Sequence, residues 1–369
     1  MCVIFFTLGH PKYKLIIAGN RDEFIDRVAQ RAHFWSEIGA PDVLAGTDHG
    51  KIHVGVPLVQ SPDPDADKVG KVLEYSGAKY EKETITKETP HVAAATSGVE
   101  QWDETNINGS SEALPLSSPD PSSAPLQTHG TWLGINKATG HFGFITNFRE
   151  HPSLVNPTAL TRGYLVRDFL LSCAADPQTY AETVSSQQYR YNGFNLVLGA
   201  VNPRANEDVV GWYCGNRGPV RDEPPTLLKK GVIYGVSNGV LMENRSDWPK
   251  VERGKEALEH LLSNPPDDHE TLINSLLDIL RDKTTYPDSD LPSNMFNYDL
   301  ERSLCPICID RHRAKGGYGT RTHTVLLVDN ENQGRFVEVD RYRLVDGSSG
   351  KKEVEERDDR VDFSFTLGL

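Results

Sequence analysis

The chain opens with Met1-Cys-Val-Ile-Phe-Phe-Thr-Leu-Gly-His-Pro-Lys-Tyr-Lys-Leu-Ile-Ile-Ala-Gly-Asn-Arg-Asp-Glu23, and this stretch decides the predicted fold. Residues 3–8 and 13–18 are apolar and rich in β-forming residues, and the turn residues at 9–12 predict a hairpin between them. Because both runs are almost continuously apolar, we expect a sheet that is covered on both faces. Antiparallel pairing through a turn at 9–12 brings Cys2 opposite roughly Gly19.

The chemistry of this hairpin centres on Cys2. A small second residue favours removal of Met1, which predicts Cys2 as the mature amino terminus. An α-amine with an ordinary pKa of about 7.7 to 8.0 then lies beside a thiol with an ordinary pKa near 8.5, so the residue carries its own general base. The predicted neighbours are Asn20, Arg21, Asp22 and Glu23. A carboxylate among them can orient the amine, and an arginine can lower the thiol pKa or receive an anionic substrate.

The five cysteines, Cys2, Cys173, Cys214, Cys305 and Cys308, are an odd and sparse set, which favours reduced thiols over a disulfide framework. A cysteine before an apolar strand is also typical of a small buried hydrophobic side chain, an alternative that the residues leave open. Cys305-Pro-Ile-Cys308 has no second cysteine pair and no histidines at zinc-finger spacing, so no metal site is predicted. A redox pair or a cysteine that contacts haem stays open for it.

Composition excludes several classes of function. The chain has 369 residues with 37% hydrophobic content, enough for one large core. A formal net charge of −13 without any block rich in lysine and arginine repels a phosphate backbone, so no nucleic-acid partner is expected. The apolar run at 3–8 is shorter than a signal-peptide core, and no run approaches the roughly 18 residues of a transmembrane segment. We therefore expect a cytoplasmic protein.

The segment 51–127 differs in composition from the rest of the chain. It is rich in Ser, Pro, Asp, Glu and Thr, and such a segment buries too little apolar surface to offset the entropy of ordering. We predict a single domain over residues 1–369 with a largely disordered insertion at about 51–127.

Strands are predicted at 132–135, 142–145, 194–199, 209–214, 231–238, 323–329 and 335–339, and helices at 160–174, 180–187, 251–263 and 269–282. Strands in runs and helices in pairs indicate an α+β fold rather than a wound βαβ sheet.

Several blocks of the chain resemble a known family. The opening Met1-Cys-Val-Ile-Phe-Phe6, the block Ala18-Gly-Asn-Arg-Asp-Glu-Phe24 and the later Gly130-Thr-Trp-Leu-Gly-Ile135 look like the NRDE family, known as transport and Golgi organization protein 2. Further blocks resemble the family in order, at residues 146–149, 161–163, 191–196, 215–218, 234–239, 248–250 and 318–322. The resemblance covers nearly the whole chain except the insertion. It groups the chain with N-terminal-nucleophile hydrolases such as the bile-salt and penicillin V acylases.

The resemblance implies a layered α/β/β/α sandwich of the N-terminal-nucleophile hydrolase type. Carried over by position, it makes Cys2 the nucleophile, Asp22 the partner of the terminal amine and Asn147 the oxyanion donor. The acylases place an arginine just before this Asn-x-Asp motif, where the present chain has Gly19. The predicted catalytic residues are Cys2, Asp22 and Asn147, and the predicted binding residues are Asn20, Arg21, Glu23, Asn238 and Arg321.

For function, the resemblance implies roles in Golgi organisation and protein secretion, with involvement in haem mobilisation and acyl-lipid metabolism. It also implies Golgi or mitochondrial association for a protein without a transmembrane segment. Two classes of activity stay open. One is a cysteine amidohydrolase that acts on a small or lipid-like amide, and the other is a non-catalytic carrier that uses the same pocket, with haem as a candidate ligand.

Overall fold

The computed structural model describes residues 2–49, 130–172, 175–201, 209–241, 248–291, 298–311, 317–346 and 352–368. These residues form the strands β1 (Val3–His10), β2 (Tyr13–Phe24), β3 (Ala29–Trp35), β4 (Ala40–Asp48), β5 (Leu133–Asn136), β6 (His141–Asn147), β7 (Phe194–Val201), β8 (Val209–Gly215), β9 (Thr226–Leu227), β10 (Ile233–Val236), β11 (Tyr318–Asp329), β12 (Gln333–Asp346) and β13 (Lys352–Thr366). They also form the helices α1 (Gly163–Leu171), α2 (Pro177–Ser186), α3 (Pro249–Ser263), α4 (His269–Leu280) and α5 (Tyr298–Leu304).

Two sheets of antiparallel strands make up the centre of the fold. The first has the strand order β10-β1-β2-β11-β12-β13, and the second has the order β3-β4-β5-β6-β7-β8-β9. β2 pairs with β1 on one side and with β11 on the other, so the predicted first hairpin lies inside the first sheet. The sheets are antiparallel, and the helices do not alternate with parallel strands. This confirms the α+β class predicted from the sequence.

Three apolar clusters show how the elements pack. The first joins the two sheets and includes Ile4 and Phe6 of β1 with Phe142 and Phe144 of β6. The second joins the opposite face of the first sheet to α3 and α4, and the third joins the second sheet to α1 and α2. Successive residues of a strand point to opposite faces, so β1 contributes even-numbered residues to one cluster and odd-numbered residues to the other. The first hairpin is therefore covered on both faces, as its apolar sequence predicts.

The helices over the first sheet begin at residues suited to helix starts. Pro249 occupies the first turn of α3, where its missing N–H is no loss, and this start directs the next residue, Lys250, into the protein interior. The side chain of Asp268 caps α4 by accepting a hydrogen bond from the Thr271 backbone nitrogen at 2.8 Å. None of the helices in the described ranges has both the length and the hydropathy that a membrane crossing requires.

The register of the first hairpin differs from the prediction. The turn holds residues 11–12 alone, because the strand continues through the glycine and histidine that the prediction had assigned to the turn. Each residue of β1 therefore pairs two positions further along β2 than expected. Gly19 pairs with Ile4 rather than with Cys2. The same register continued by one residue brings Cys2 across from Arg21.

Most other predicted elements are confirmed within one to three residues at their ends. The hairpin β5–β6 forms as expected, and α2, α3 and α4 lie where the periodicity predicts helices. The hairpin β11–β12 also forms, but β11 begins five residues before the predicted start and β12 ends seven residues after the predicted end. α1 begins at Gly163 rather than at residue 160, and its predicted end at 173–174 lies outside the described residues. The sequence did not predict β3, β4, β9, β13 and α5.

The predicted insertion at 51–127 also lies outside the described residues. The chain on either side of it is joined by two hydrogen bonds. The backbone nitrogen of Asp48 donates to the Gly130 oxygen at 2.8 Å, and that of Gly130 donates to the Asp48 oxygen at 3.1 Å. The pairing of β4 with β5 continues beyond this bridge. The two ends of the segment are thus already adjacent.

Replacing residues 56–126 by a short Gly/Ser linker should leave the fold intact, because a short loop can close between ends that are already hydrogen-bonded. We expect a thermal midpoint within about 4 °C of the unaltered protein. Gly130→Val is the comparison variant, since a Cβ there would lie 3.1 Å from the Gly163 backbone and should lower the midpoint clearly. A drop with the linker as large as that of Gly130→Val would show that the segment packs on the core.

Candidate functional site around Cys2

Cys2 lies partly buried just before the first residue of β1. Its backbone oxygen accepts a hydrogen bond from the Ser237 hydroxyl at 2.8 Å. Burial raises the pKa of its thiol, and the backbone N–H of Asp22 acts to lower it. The main chain of this residue is therefore held by a neighbouring element.

Ser237 is itself part of a buried polar network between the two sheets. The Thr146 hydroxyl donates to the Ser237 backbone oxygen at 2.6 Å. The Asn195 side-chain nitrogen donates to the Gly239 oxygen at 2.8 Å, and its oxygen accepts from the Tyr213 hydroxyl at 2.8 Å. A network whose members are each hydrogen-bonded holds one conformation, so the chain that supports Cys2 is rigid.

Asp22 is the carboxylate nearest in sequence to this thiol, and its side chain is buried. One carboxylate oxygen accepts from the Thr320 hydroxyl at 2.6 Å, and the Asp22 backbone oxygen accepts from the Tyr318 hydroxyl at 3.0 Å. Burial raises the pKa of Asp22, whereas the positive charge of Lys250 and the Thr320 hydrogen bond act in the opposite direction. The site therefore supplies positive charge and a hydrogen-bond donor for an ionised carboxylate.

Two further buried charges lie on the helical side of Cys2. Lys250 is fully buried and donates to the backbone oxygen of Leu304 at 3.0 Å. Burial lowers the pKa of Lys250, while the charges of Asp22 and Cys2 raise it. Glu301 of α5 is also buried and forms an ion pair with Arg149. Burial raises the pKa of Glu301, and the positive charge of Arg149 lowers it.

Asn147 ends β6 at the same edge of the fold, and its side chain is exposed. Its backbone oxygen accepts a hydrogen bond from the Asn238 side chain. Asn238 follows Ser237 directly, and its own backbone oxygen accepts from the Arg149 nitrogen at 2.7 Å. Asn238 thus joins the end of β6 to the segment that binds the Cys2 carbonyl.

Two arginines, Arg21 and Arg162, act electrostatically on the thiol. Arg21 is buried and pairs with Asp48 at 2.7 Å, and its charge lowers the pKa of Cys2. Arg162 donates to the Gly193 oxygen at 2.7 Å. Burial lowers the pKa of Arg162 to about 10, so this guanidinium stays charged at neutral pH. Burial is nevertheless the largest influence on the Cys2 thiol and raises its pKa.

Three of the predicted binding residues make their contacts elsewhere. The Asn20 side chain is fully buried and faces the end of α4, where it donates to the Leu280 oxygen at 2.8 Å. Glu23 lies 3.5 Å from Arg27 in an ion pair. Arg321 donates to the Phe24 oxygen at 3.2 Å. Arg321 also lines, with Arg21 and Asp48, a cavity of only about 30 Å³, which holds little more than one water molecule.

Cys214 and Cys308 are poor nucleophiles. Cys214, Cys305 and Cys308 are buried free thiols. Burial raises the pKa of Cys214 to about 12 and that of Cys308 to about 11, which disfavours the reactive thiolate. Within the described ranges no group of three or more metal-binding side chains is placed to hold a metal ion. Cys173 lies outside those ranges.

Sequence reasoning missed several residues of this site. Those that contact or act on Cys2 and its support are Thr146, Arg162, Asn195, Ser237, Lys250 and Glu301. All but Glu301 lie inside the blocks by which the chain resembles its family. The resemblance was therefore a signal for these positions, but it did not indicate what each residue does. Only the packing of distant segments reveals that role.

Comparison with known proteins matches the chain over most of its length. The family model described as Transport and Golgi organisation 2 matches residues 1–57 and 99–343. The chain is 28% identical to the Transport and Golgi organization 2 homolog of Mus musculus over 351 residues and 28% identical to the corresponding protein of Homo sapiens over 350 residues, with 92% of each chain covered. It is 26% identical over 353 residues to Transport and Golgi organization protein 2 of Drosophila melanogaster, covering 92% of this chain and 91% of the relative. Every residue of the Cys2 site lies inside the matched ranges.

Proposed function

The chain belongs to the Transport and Golgi organisation 2 family, and from that premise we propose that it serves transport and Golgi organisation as a cysteine amidohydrolase that cleaves a small or lipid-like amide. The observation that carries this proposal is how Cys2 is held. Ser237 donates to its carbonyl oxygen at 2.8 Å, and the charges of Asp22 and Arg21 act on its thiol. A residue that served only as a small hydrophobic filler would not require charged residues around its sulfur. The proposed place of action is the cytoplasm, including its Golgi-facing side.

The packing supports an N-terminal-nucleophile architecture for this activity. The three apolar clusters fit a layered α/β/β/α sandwich in which α3 and α4 cover one sheet and α1 and α2 cover the other. Cys2 then stands at the end of an inner strand, between layers. A reacting group at such a strand end is rigidly positioned by the sheet and still reachable from the edge.

The proposed reaction begins once Met1 is removed and the amine of Cys2 takes the proton of its own thiol. The sulfur attacks the carbonyl carbon of the amide, and the Asn147 side chain donates to the oxyanion that forms. The C–N bond breaks as the ammonium of Cys2 returns a proton to the leaving nitrogen. Water then hydrolyses the thioester, which releases a carboxylic acid and restores the thiol.

The charges around Cys2 suit these steps. The Asp22 carboxylate, with Lys250 and Thr320 favouring its charged form, is suited to hold the transient ammonium. Arg162 acts electrostatically on Cys2 and remains positive at neutral pH, so it favours a substrate with a negative or strongly polar group near the scissile bond. Because the cavity beside Arg21 is too small for a substrate, the proposal assigns the substrate to the side with Arg162 and Asn147.

Hydrolysis of N-acyl p-nitroanilides of graded acyl length tests the proposal, after intact mass has verified that Met1 is absent. We expect activity in the mature protein, none in Cys2→Ala, and a roughly 100-fold lower kcat in Asn147→Ala. Asn274→Ala, which alters an exposed asparagine on α4, is the matched control and should retain full activity.

A variant with one leucine inserted between Met1 and Cys2 separates the amine from the thiol. It blocks methionine removal and keeps the sulfur, so it should be inactive if the terminal amine is the base. Activity equal to that of the mature protein would refute the amine as base. Absence of hydrolysis by the mature protein across the panel would refute the hydrolase itself.

One observation favours a carrier as a second candidate. Burial raises the pKa of the Cys2 thiol, and a neutral thiol suits binding better than attack. For haem, burial raises the pKa of Cys2, Cys214 and Cys308, which disfavours an axial thiolate at these residues. Cys305 is buried, and its thiol donates to the Arg302 oxygen at 3.0 Å. Any haem carried would be held by apolar contact.

A haem titration tests this point by absorption spectroscopy. We expect the same spectrum for the unaltered protein, for Cys2→Ser and for Cys305→Ser/Cys308→Ser, because burial disfavours the thiolates of Cys2 and Cys308 and the Cys305 thiol is already hydrogen-bonded. A spectral shift that is lost in one of the variants would identify that cysteine as the ligand and contradict the expectation.

A further inference from the structure

A second cavity lies on the helical side of β2, away from Cys2. Its volume is about 370 Å³, and its walls come from the end of α4, the chain after α5, and strands β11, β12 and β13. The residues that line it include Arg281, Lys283, Cys308, His323, Arg341 and Arg357. Nothing in the reaction proposed for Cys2 uses these side chains.

His323 forms the floor of this cavity, and the tautomer of its ring follows from its neighbour. Its Nδ1 lies 2.6 Å from the side-chain oxygen of Asn20. The Asn20 nitrogen donates to the Leu280 oxygen at 2.8 Å and to the Ile307 oxygen at 2.9 Å, which fixes the orientation of the amide. An amide oxygen only accepts, so Nδ1 carries the proton and Nε2 keeps a lone pair. Burial lowers the pKa of His323 to about 3, so the ring is neutral at physiological pH.

The lone pair of His323 Nε2 is unused within the described part of the chain. The atom is buried and has no hydrogen-bond partner there, and the His323 side chain as a whole is fully buried. Buried polar atoms in folded proteins are nearly always hydrogen-bonded, and an exception calls for a ligand or a water. The atom requires a donor, because it can only accept.

Positive side chains outnumber carboxylates among the residues that line this cavity. Four positive residues line the cavity, Arg281, Lys283, Arg341 and Arg357, against the two carboxylates Glu356 and Asp358. Asp358 lies 3.7 Å from Arg281 and Glu356 lies 3.5 Å from Arg341, and both carboxylates are about two-thirds exposed. Such long, hydrated contacts are weak and can give way to a better-placed anion. The other ion pairs of these four side chains are closer. Lys283 lies 2.9 Å and Arg341 3.2 Å from the same carboxylate, that of Asp310, while Arg281 lies 3.3 Å from Asp278 and Arg357 pairs with Asp359.

We propose that this cavity binds a hydrogen phosphate group, either as free phosphate or as part of a small hydroxylated phosphate ester. Guanidinium and ammonium groups bind phosphate oxygens through charge-assisted hydrogen bonds. A hydroxyl of the ligand donates to Nε2 of His323. Sulfate has the same shape and charge but no proton to donate at neutral pH, so the acceptor selects against it. Asn20 is a positioning residue of this site, because it fixes the tautomer of His323.

Calorimetric titration of the full chain with inorganic phosphate, sulfate and glycerol 3-phosphate at equal ionic strength tests the proposal. We expect phosphate to bind at least about tenfold more tightly than sulfate. Tighter binding of glycerol 3-phosphate than of phosphate would assign the site to an ester, and the reverse would assign it to the free ion. Equal affinities for phosphate and sulfate, or no binding of either phosphate compound, would overturn the proposal.

Nitrogen-15 spectroscopy of the His323 ring provides a measurement that needs no variant. The free protein should show a protonated Nδ1 and an unprotonated Nε2, and phosphate but not sulfate should shift the Nε2 resonance. A protonated Nε2 in the free protein would contradict the assignment.

Lys283→Gln and Lys12→Gln form a matched pair for the charge. Each lysine has a side chain that is 48% exposed and lies 2.9 Å from one aspartate, but only Lys283 lines the cavity. We expect Lys283→Gln to weaken phosphate binding at least about fivefold and Lys12→Gln to change it less than about twofold. Equal thermal midpoints would establish that both variants are folded, and equal effects on phosphate binding would overturn the proposal.

Discussion

Replacing Asn20 by alanine is expected to lower the free energy of unfolding by about 3 to 5 kcal/mol. The side chain is fully buried and makes hydrogen bonds to the Leu280 oxygen, the Ile307 oxygen and the His323 ring. Alanine would leave these three buried groups without their partner, and each buried polar group left unsatisfied costs about 1 to 3 kcal/mol. The variant would also release the end of α4 from β2.

Denaturant unfolding followed by tryptophan fluorescence measures this effect. Asn147→Ala is the comparison, because that side chain is exposed and its loss should change the free energy of unfolding by less than about 0.5 kcal/mol. The two asparagines therefore separate stability from chemistry, since only Asn147 is proposed to contact substrate. A loss below about 1 kcal/mol for Asn20→Ala would mean that its buried hydrogen bonds contribute little to the free energy of unfolding.

The contrast between Asn20 and Arg21 shows how far the sequence could predict the site. Strand alternation alone indicates that neighbouring residues of β2 face opposite sides, so the two could not both line one pocket. The sequence grouped them because they are adjacent and because the predicted turn was two residues too long. The partners of Asn20 lie 260 to 303 positions away in the chain, and no local pattern identifies them.

Lys250 and Glu301 show a second limit. Each stands in a segment that is polar by sequence, and charged residues in such segments are ordinarily exposed. Lys250 is fully buried because Pro249 starts α3 at that point, and its amine donates to the backbone oxygen of Leu304 at the end of α5. Burial of a charge depends on partners from distant segments. The sequence therefore predicted α3 but not the burial of Lys250 at its start.

The unpredicted strands have a related physical cause. β13 (Lys352–Thr366) is dense in charged residues, and such composition favours loops on intrinsic grounds. It forms a strand because it pairs with β12 along nearly its whole length at the edge of the first sheet, where the charges remain accessible. The apolar inner strand pair β1–β2, by contrast, was predicted well. Strands that are buried on both faces have continuous hydrophobic sequences, and such runs are easily recognised.

Glu338→Gln is expected to stabilise the protein by about 2 to 3 kcal/mol at pH 8 and to change its stability little at pH 4. Glu338 lies on β12 between the two sheets, 3% exposed, and accepts a hydrogen bond from the Ala32 nitrogen at 2.9 Å. Burial, assisted by the negative charge of Asp340, raises its pKa from 4.5 to about 7. Glutamine retains the accepting oxygen and carries no charge at any pH.

The sign of the effect follows from proton binding. Between pH 4.5 and about 7 the folded protein keeps a proton on Glu338 that the unfolded chain has already released, so stability falls as the pH rises through this window and is constant above it. His323 acts in the opposite direction, because its lowered pKa of about 3 makes stability fall as the pH drops below 6.5. The pH dependence of the unaltered protein therefore mixes opposing contributions. The difference between it and the variant isolates Glu338.

Unfolding free energies of the unaltered protein and Glu338→Gln should therefore be measured by denaturant titration at several pH values from 4 to 8. The difference should grow from near zero to its full size between pH 4.5 and 7. Glu353→Gln, at an exposed glutamate of β13, is the control and should give a small difference at every pH. A constant difference for Glu338→Gln across the range would mean that the carboxyl is already ionised in the folded protein at pH 4.5, with a positive charge or a water beside it that offsets its burial.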